Sequence, residues 1–410
     1  MKNSLSYIRQ CSSVCYISIL LLLVVSAAKA QNLNETYLHA KADMIRKEYS
    51  NAGERILSIP VVERTSSMYV TLGESFYLID RYVEAARYFA FADSVRTNPE
   101  AQLYAARAYA MLQQNAKAVE WLQKYLSHRE KLSESEIMLD PAFEKIERSR
   151  EWRELWDREW YNAADRREAE ATAFLRRNRH TDALAIIDAE ISRASTARFH
   201  ALRAKVFAAM EQHEPAHESA QTAVRMRNNN PDYFVDAANI ALRVKKYDVA
   251  LENINRAIRL EPYQLEHYLQ RASILRMNQR YDDARNDINF YFKYFPDDTK
   301  AIFQMGLAET DAGNPLGGIE YFTILIENDR SSPEYFIARA NALLKSNNFV
   351  LAGADLSQAL DLDPTLPEAW HKKGISLQLE NKLEDACYFW RKALGMGYRE
   401  AAEYIYKFCF

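Results

Sequence analysis

The clearest candidate for chemistry in this sequence is the run H-E-P-A-H at residues 213–217. The H-E-x-x-H pattern binds zinc through two histidines on one face of a helix, and its glutamate acts on the metal-bound water. Pro215 is tolerated only at the start of a helix, so we expect His213 to lie in the preceding turn. No third ligand follows nearby, because the next histidine is His267. We therefore interpret the match as a coincidence at an exposed helix start and expect no bound metal.

The rest of the sequence offers little else for catalysis. The glycines between residues 313 and 318 lack the Lys-Ser or Lys-Thr of a phosphate-binding loop, and no Ser or Cys lies in a recognisable nucleophile turn. We expect a protein that is not an enzyme and uses no cofactor. The alternative from a different functional class is a zinc-dependent hydrolase that uses His213, Glu214 and His217.

The charge balance argues against nucleic acid and anionic membranes as partners. The 410 residues include 53 Lys and Arg against 56 Asp and Glu, which gives a formal net charge of −3. Residues 1–30 hold three of the basic residues and no acid, so the remainder carries 50 against 56, a net charge of −6. No basic cluster interrupts this mild acidity, whereas both kinds of partner attract clustered Lys and Arg.

The N-terminal segment 1–30 is typical of a signal peptide. Basic residues precede an uncharged apolar stretch at residues 17–25, and the small residues Ala28 and Ala30 follow it. The stretch is short for a permanent membrane span, although an uncleaved anchor is the alternative. We predict cleavage before Gln31 and export to the periplasm or the periphery of the outer membrane.

Cysteine usage is compatible with an exported protein. Two of the four cysteines precede the apolar stretch, so the mature chain keeps only Cys387 and Cys409. A turn near Gly395 and Gly397 would fold the last two helices antiparallel and bring these cysteines nearly level. We predict a disulfide between them, and two buried unpaired thiols are the alternative.

Small residues recur with a period of about 34 residues through the second half of the chain, the interval typical of a helix-hairpin repeat. Each member of this ladder has a small partner 12 residues upstream, which would let two helices approach closely. The ladder residues are Ala216, Ala250, Ala284, Gly318, Ala352 and Ala386, and their partners are Ala204, Ala238, Ala272, Gly306, Ala340 and Gly374. The spacing therefore predicts helix hairpins that bury their apolar faces by stacking on one another.

Other positions repeat in the same phase. A bulky residue, usually aromatic, lies four positions before the first small residue, as at Phe234 and Trp370, and prolines such as Pro262 end the second helices. The pattern resembles the tetratricopeptide repeat (TPR) consensus, best over residues 231–398. The resemblance implies an all-α, right-handed α-solenoid of about nine hairpins with a C-terminal capping helix. We expect no linker between them, because Gly and Pro are few.

The repeat register breaks once, between Tyr125 and Trp160. The segment L-D-P-A-F-E-K-I, which begins at residue 139, resembles the closing segment of some bacterial TPR groups, and Asp140 can cap a helix that starts at Pro141. Tryptophans at 152, 156 and 160 favour a buried seam over an aromatic ligand platform. We predict three regions, listed in chain order: 1–30, the signal peptide; 31–159, a lone capping helix near 34–50, two repeats and the closing segment; 160–410, seven repeats and the capping helix.

The TPR resemblance also implies a binding surface. In that family the first helix of each repeat lines the inner groove, and ligands lie along it. In this register the groove residues are Lys205, Asp232, Val235, Asn239, Arg243, Leu269, Arg276, Ile337, Asn341, Lys345, His371 and Gln378. The clamp that binds chaperone tails has a Lys four residues before an Asn; Val235 and Ile337 replace that Lys here, so this specificity is absent.

These observations converge on an interaction protein. The mixture of Leu, Ile, Arg and Asn in the implied groove fits an extended peptide or a partner helix, although several of these residues could be ordinary solvated positions. Residues 385–409 resemble the C-terminal repeat of exported TPR proteins from Bacteroidota. We expect a scaffold in the bacterial cell envelope that binds a protein partner. The alternative within this class is an accessory factor of surface secretion, motility or envelope assembly.

Overall fold

The computed structural model describes residues 32–409, and these residues form α-helices, two short 3-10 helices and connecting turns, without a strand. The predicted signal peptide, its cleavage site before Gln31, and Cys11 and Cys15 lie outside the described residues. No helix within the described range combines the length and apolar character needed to cross a membrane.

Residues 32–409 divide into two compact units, one that extends to Met226 and one that starts at Arg227. The paired helices of the first unit are α1 (32–45) with α2 (Tyr49–Ser58), α3 (Ser66–Tyr77) with α4 (Tyr82–Val95), α5 (Pro99–Met111) with α6 (Asn115–Leu126), α9 (Ala163–Arg176) with α10 (His180–Arg193), and α11 (Ala197–Ala209) with α12 (His213–Met226). Between α6 and α9 lie α7 (Glu134–Met138), a 3-10 turn (Pro141–Phe143) and α8 (Arg150–Trp156). The predicted division at residue 159 stays a prediction.

The second unit contains five further hairpins and a final helix. Its paired helices are α13 (Pro231–Arg243) with α14 (Tyr247–Leu260), α15 (Leu265–Met277) with α16 (Tyr281–Phe292), α17 (Thr299–Asp311) with α18 (Pro315–Asn328), α19 (Pro333–Lys345) with α20 (Phe349–Leu362), and α21 (Pro367–Leu379) with α22 (Leu383–Gly395). The last helix, α23 (Ala401–Phe408), packs on α22. The predicted all-α architecture of stacked hairpins with a capping helix is confirmed.

Each hairpin turns at one residue in the left-handed backbone conformation. In the α17–α18 turn this residue is Gly313, with φ +88°, but the other nine turns use a residue with a side chain, such as Asn381 with φ +61°. The amide after this residue donates to the carbonyl five positions back, as Asn314 N does to Glu309 O at 2.9 Å. This Schellman bond satisfies a helix-end carbonyl, which offsets the cost of about 1–2 kcal/mol for the left-handed conformation.

The first two helices correct the sequence prediction of a lone helix near residues 34–50. The chain turns at Lys47, and α1 and α2 form a tenth hairpin, joined by an ion pair between Asp43 and Arg55. Ala40 and Ala52 are its small pair, in the same relative positions as in the later hairpins and fully buried. This pair precedes Gly73 and Ala85 by 33 residues, the interval that also separates Gly73 from Ala106, so its signal is visible in the sequence.

The closing segment packs into the core of the first unit. Asp140 accepts from Ala142 N at 3.0 Å, as predicted, but the turn that it caps is 3-10 and not α-helical. Trp152 is buried at 4% exposure, and Trp156 and Trp160 pack against the same cluster. The tryptophans therefore form a buried seam, as the spacing predicted.

Candidate functional site

The candidate site is the first-helix face of the second unit, which we define as the surface formed by α13, α15, α17, α19 and α21. Three of these helices, α15, α17 and α19, contact one another in chain order. In the TPR family this face is the binding surface, so it is the place to compare the predicted groove residues with the structure.

The predicted groove residues differ in their accessibility. Four groove residues of the second unit are exposed: Asp232, Asn239, Arg243 and Lys345. Four others are partly buried: Leu269, Arg276, Asn341 and Gln378. Lys205 is exposed on α11 and belongs to the first unit. Most of the predicted set thus lies at least partly exposed on the first helices, and its role in binding stays a prediction.

Arg276 and Lys345 are joined by an acid that the sequence analysis missed. Arg276 Nη1 donates to Asp311 Oδ2 at 2.6 Å, and Lys345 Nζ donates to Asp311 Oδ1 at 3.0 Å. Burial alone would raise the pKa of Asp311, but the hydrogen bonds from Lys345 and Arg276 lower it below its ordinary value. The ion pairs cross α15, α17 and α19, and their sequence separations of 35 and 34 could have revealed them. Both basic groups therefore share one carboxylate, and the trio keeps a net charge of about +1.

Two further arginines bridge neighbouring helices beneath this face. Arg271 on α15 donates to both carboxylate oxygens of Asp287 on α16, at 2.7 and 2.6 Å, and to Asn255 Oδ1 on α14 at 2.9 Å. Arg339 on α19, two hairpins further along the chain, repeats the bidentate contact with Asp355 at 2.8 Å for both bonds. Because their donors are occupied within the fold, these arginines position helices and are not available to a ligand.

His371 is not available on the first-helix face, and its assignment to the groove is wrong on this point. Its side chain is only 4% exposed, and the rings of Tyr398 and Tyr404 cover it at centroid distances of 5.0 and 4.8 Å. Burial lowers the pKa of the imidazole, opposed in part by Glu400. The repeat register placed the residue correctly but could not show that the capping helix covers the last hairpin.

The zinc-protease pattern does not assemble a metal site among residues 32–409. His213 is the first residue of α12 and not part of the preceding turn, which corrects the sequence prediction. Pro215 is compatible with this start because amides in the first turn of a helix have no intrahelical partner. The described residues contain no group of three or more His, Cys, Asp or Glu side chains placed to hold a metal ion. The hydrolase alternative thus lacks a ligand set in this part of the chain.

The C-terminal cysteines lie within the cap. The structure joins Cys387 on α22 to Cys409 just after α23, with a Cα–Cα distance of 5.7 Å. Beside this bond, the Trp390 ring lies 5.1 Å from the ring of Tyr404 and 5.8 Å from that of Phe408. The cap is therefore held by one covalent bond and a small aromatic cluster.

The first unit carries a different charged row, on α1, α3, α5 and the closing segment. Lys41, Glu74, Arg107 and Asp140 follow one another at 33-residue intervals with alternating charge, and Arg107 Nε donates to Asp140 Oδ2 at 2.7 Å. Burial raises the pKa of Glu74 to about 7, with a further contribution from Glu100, while Lys41 opposes the change. This row was not predicted, although its spacing is visible in the sequence.

Comparison with known proteins identifies the repeats. Residues 235–289 and 303–367 match the family model described as tetratricopeptide repeat, which confirms the resemblance over these segments. A tetratricopeptide repeat protein from Parabacteroides merdae is similar in structure, with 16% identity, a TM-score of 0.54 and coverage of 58% of this chain and 96% of that one. At this identity the likeness shows the fold alone.

Two other solved structures align with lower scores. The C-terminal part of a TPR repeat-containing protein from Cytophaga hutchinsonii has 14% identity, a TM-score of 0.40 and coverage of 58% of this chain and 98% of that one. Yeast Tom70 has 13% identity, a TM-score of 0.40 and coverage of 92% and 95%. None of the curated proteins matches the sequence.

Proposed function

We propose that this protein is a non-enzymatic scaffold that binds a peptide or helix of a protein partner on the first-helix face of the second unit. TPR proteins generally act as interaction scaffolds, and the family match covers α13, α15, α17 and α19 in whole or in part and ends at the first residue of α21. The identity of the partner would decide whether the scaffold serves secretion, motility or envelope assembly.

The observation that carries this proposal is the exposed set of polar side chains on α13. Asp232, Asn239 and Arg243 are exposed and form no ion pair within residues 32–409, and the partly buried Leu269 lies on the next first helix. A surface that combines unpaired polar groups with apolar area suits recognition of an amphipathic segment. Arg276 and Lys345, in contrast, already share Asp311.

Charge reversal of two exposed arginines tests the binding face. Arg243→Glu changes the first-helix face, and Arg259→Glu makes the same change on α14, a second helix. Surface substitutions of this kind usually alter stability by about 0.5 kcal/mol or less, so both variants should fold. In-cell crosslinking with mass spectrometry should show loss of the captured partner for Arg243→Glu alone. Equal capture by both variants would place the binding surface elsewhere.

The proposal includes export to the periplasm or the periphery of the outer membrane. It is supported by the basic, apolar and small-residue segments that precede Gln31. N-terminal sequencing of the protein recovered from the periplasm should begin at Gln31. Recovery of the uncleaved chain from membranes would instead support an anchored protein.

A further inference from the structure

Three buried polar atoms at the start of α15 have no hydrogen-bond partner within residues 32–409. They are Glu266 Oε2, His267 Nδ1 and Gln270 Oε1. Gln270 follows the other two by four and three positions, so the three side chains are neighbours on the helix surface. Buried polar atoms in folded proteins are almost always paired with protein or with water, so three orphans on one helix surface indicate a missing partner.

An acidic side chain from the preceding hairpin acts on this cluster. The charges that act on His267 are those of Glu266 and Asp232, the latter on α13. Burial raises the pKa of Tyr291 on α16, and the carboxylates of Asp298 and Glu266 raise it further. Asp232, Glu266 and Asp298 form no ion pair with any residue that the structure describes. Glu266 and Asp232 therefore act on His267 without a paired cation, whereas Asp298 already accepts from Ala301 N at 2.9 Å and from the Tyr291 hydroxyl at 3.4 Å.

An acid at this repeat position is not by itself informative. Negative charge in the first turn of a helix is favoured by the helix dipole, and Glu334 on α19 and Glu368 on α21 occupy the same position as Glu266. Both of those glutamates are exposed, and Glu368 pairs with Lys372 at 2.6 Å. Glu266 differs because one of its oxygens is buried without a donor.

The chemistry of the orphan atoms defines the missing ligand. His267 is only 8% exposed, and burial lowers its pKa below the ordinary value of 6.5, so the imidazole is neutral at pH 7 and one ring nitrogen can accept. The carboxylate of Glu266 and the amide oxygen of Gln270 also accept. A site made of acceptors fits a guanidinium group, which has five N–H donors, no acceptor and a positive charge.

We propose that Glu266, His267 and Gln270, together with the charge of Asp232, bind the guanidinium group of an arginine side chain that the protein partner presents. This inference rests on the proposed function and specifies the chemistry that the partner must bring. It also predicts the orientation of the partner segment on the face. The subsite on α15 binds a positive charge, whereas the exposed Arg243 on α13 attracts a negative one.

The test uses the mature full chain and the peptide acetyl-Gly-Arg-Gly-amide as the probe. The matched probe carries citrulline, which keeps the planar shape of arginine but has no charge. With the eight histidines labelled, the resonance of His267, assigned with His267→Gln, should shift saturably with the arginine peptide and not with the citrulline peptide. Glu266→Gln should weaken binding about tenfold, since hydrogen bonds to charged groups are the stronger ones, whereas Glu334→Gln should leave it unchanged.

Several results would overturn the inference. They are the absence of a saturable shift, an equal shift with citrulline, and an equal loss of affinity in Glu266→Gln and Glu334→Gln. If Glu266→Gln lost helicity, Gln270→Met would replace it, with the same expected direction. The peptide titration needs no partner, so a face that captures a partner but no arginine peptide would contradict this inference and leave the proposed function standing.

Discussion

In the adjacent hairpins α15–α16 and α17–α18, different residues at equivalent positions hold the two helices together. In α15–α16 the small residue is Ala272, the buried residue 16 positions later is Ile288, and Arg271 forms its bidentate pair with Asp287. In α17–α18 the small residue is Gly306, and a Cβ built on it would lie 2.7 Å from the Phe322 ring. Met305 and Tyr321 replace the arginine and the aspartate there. One hairpin uses an ion pair and an aliphatic contact, and the other fills the same space with an aromatic ring.

This difference reflects a size rule that holds in all ten hairpins of the described range. The residue 16 positions after the first small residue is aromatic where the small residue is glycine and aliphatic where it is alanine. The glycine pairs are Gly73–Phe89, Gly306–Phe322 and Gly374–Trp390, and the alanine pairs are Ala40–Ile56, Ala106–Leu122, Ala171–Ile187, Ala204–Ala220, Ala238–Ile254, Ala272–Ile288 and Ala340–Leu356. A packed interior tolerates little change in volume, so the two positions must compensate each other.

Replacement of Arg271 on α15 should lower the stability of the protein more than any other change considered. Arg271→Met leaves the carboxylate of Asp287 buried without its partner and should lower the free energy of unfolding by about 3 kcal/mol. The control is Arg280→Met, which breaks an exposed pair with Asp283 and should cost about 0.5 kcal/mol or less. Chemical denaturation measures both.

The neighbouring hairpin suggests the rescue for that variant. Arg271→Met combined with Asp287→Tyr copies Met305 and Tyr321 and removes the unpaired charge. Replacement of a partly buried ion pair by apolar groups of suitable size is often neutral, so the double variant should recover most of the lost stability. No recovery would show that the two hairpins are not interchangeable at these positions.

The third glycine hairpin, α21–α22, differs from α17–α18 because a disulfide-linked helix covers it in place of another hairpin. Replacement of both Cys387 and Cys409 by serine should destabilise the cap by about 3 kcal/mol in the chain-entropy model for a loop of this length. Hydrogen exchange should rise in α23 and remain unchanged in α17. Thiol labelling of the unfolded, unreduced protein checks the bond itself, and two reactive cysteines per chain would disprove it.

Exchange of the glycine–aromatic pair tests the size rule directly. Gly306→Ala forces a methyl group against the Phe322 ring and should cost about 2 kcal/mol, whereas Gly306→Ala with Phe322→Ile should restore most of the loss. The comparison variant, Ala272→Gly, should cost about 1 kcal/mol from helix propensity alone. A double-mutant cycle by thermal unfolding gives the coupling. A coupling near zero would show that the two positions vary independently.

The sequence revealed whatever depends on local chemistry and regular spacing. Small residues 12 apart predicted the hairpins because close helix approach admits nothing larger. The α1–α2 hairpin was missed although its small pair lies 33 residues before the next one, the interval that also separates Gly73 from Ala106. Asp287 and Asp311 were missed because an acid on a helix resembles an ordinary solvated residue until its arginine partner, 16 or 35 positions away, is known to lie beside it.

The burial of His371 could not be predicted from its position in the repeat. Its repeat position holds Val235, Leu269, Phe303 and Ile337 in the other hairpins of the second unit. Sequence position could not show that α23 buries the imidazole. Because a buried histidine replaces an apolar residue here, the stability of the capped hairpin should depend on pH in a way that its neighbours' does not.

The smallest expected effect is the loosening of the cap at mildly acidic pH. Burial holds the pKa of His371 below its ordinary value of 6.5, although Glu400 and Glu368 oppose the shift and Lys372 adds to it. The unfolded cap therefore binds a proton more readily than the folded one, so this contribution to stability is complete above pH 6.5 and declines as the pH falls below it. Hydrogen exchange of α23, corrected for the intrinsic effect of pH, should thus accelerate between pH 7.5 and 5.5. His371→Phe copies Phe303 from α17 and should abolish that acceleration, while an unchanged pH response in this variant would assign the effect to other groups.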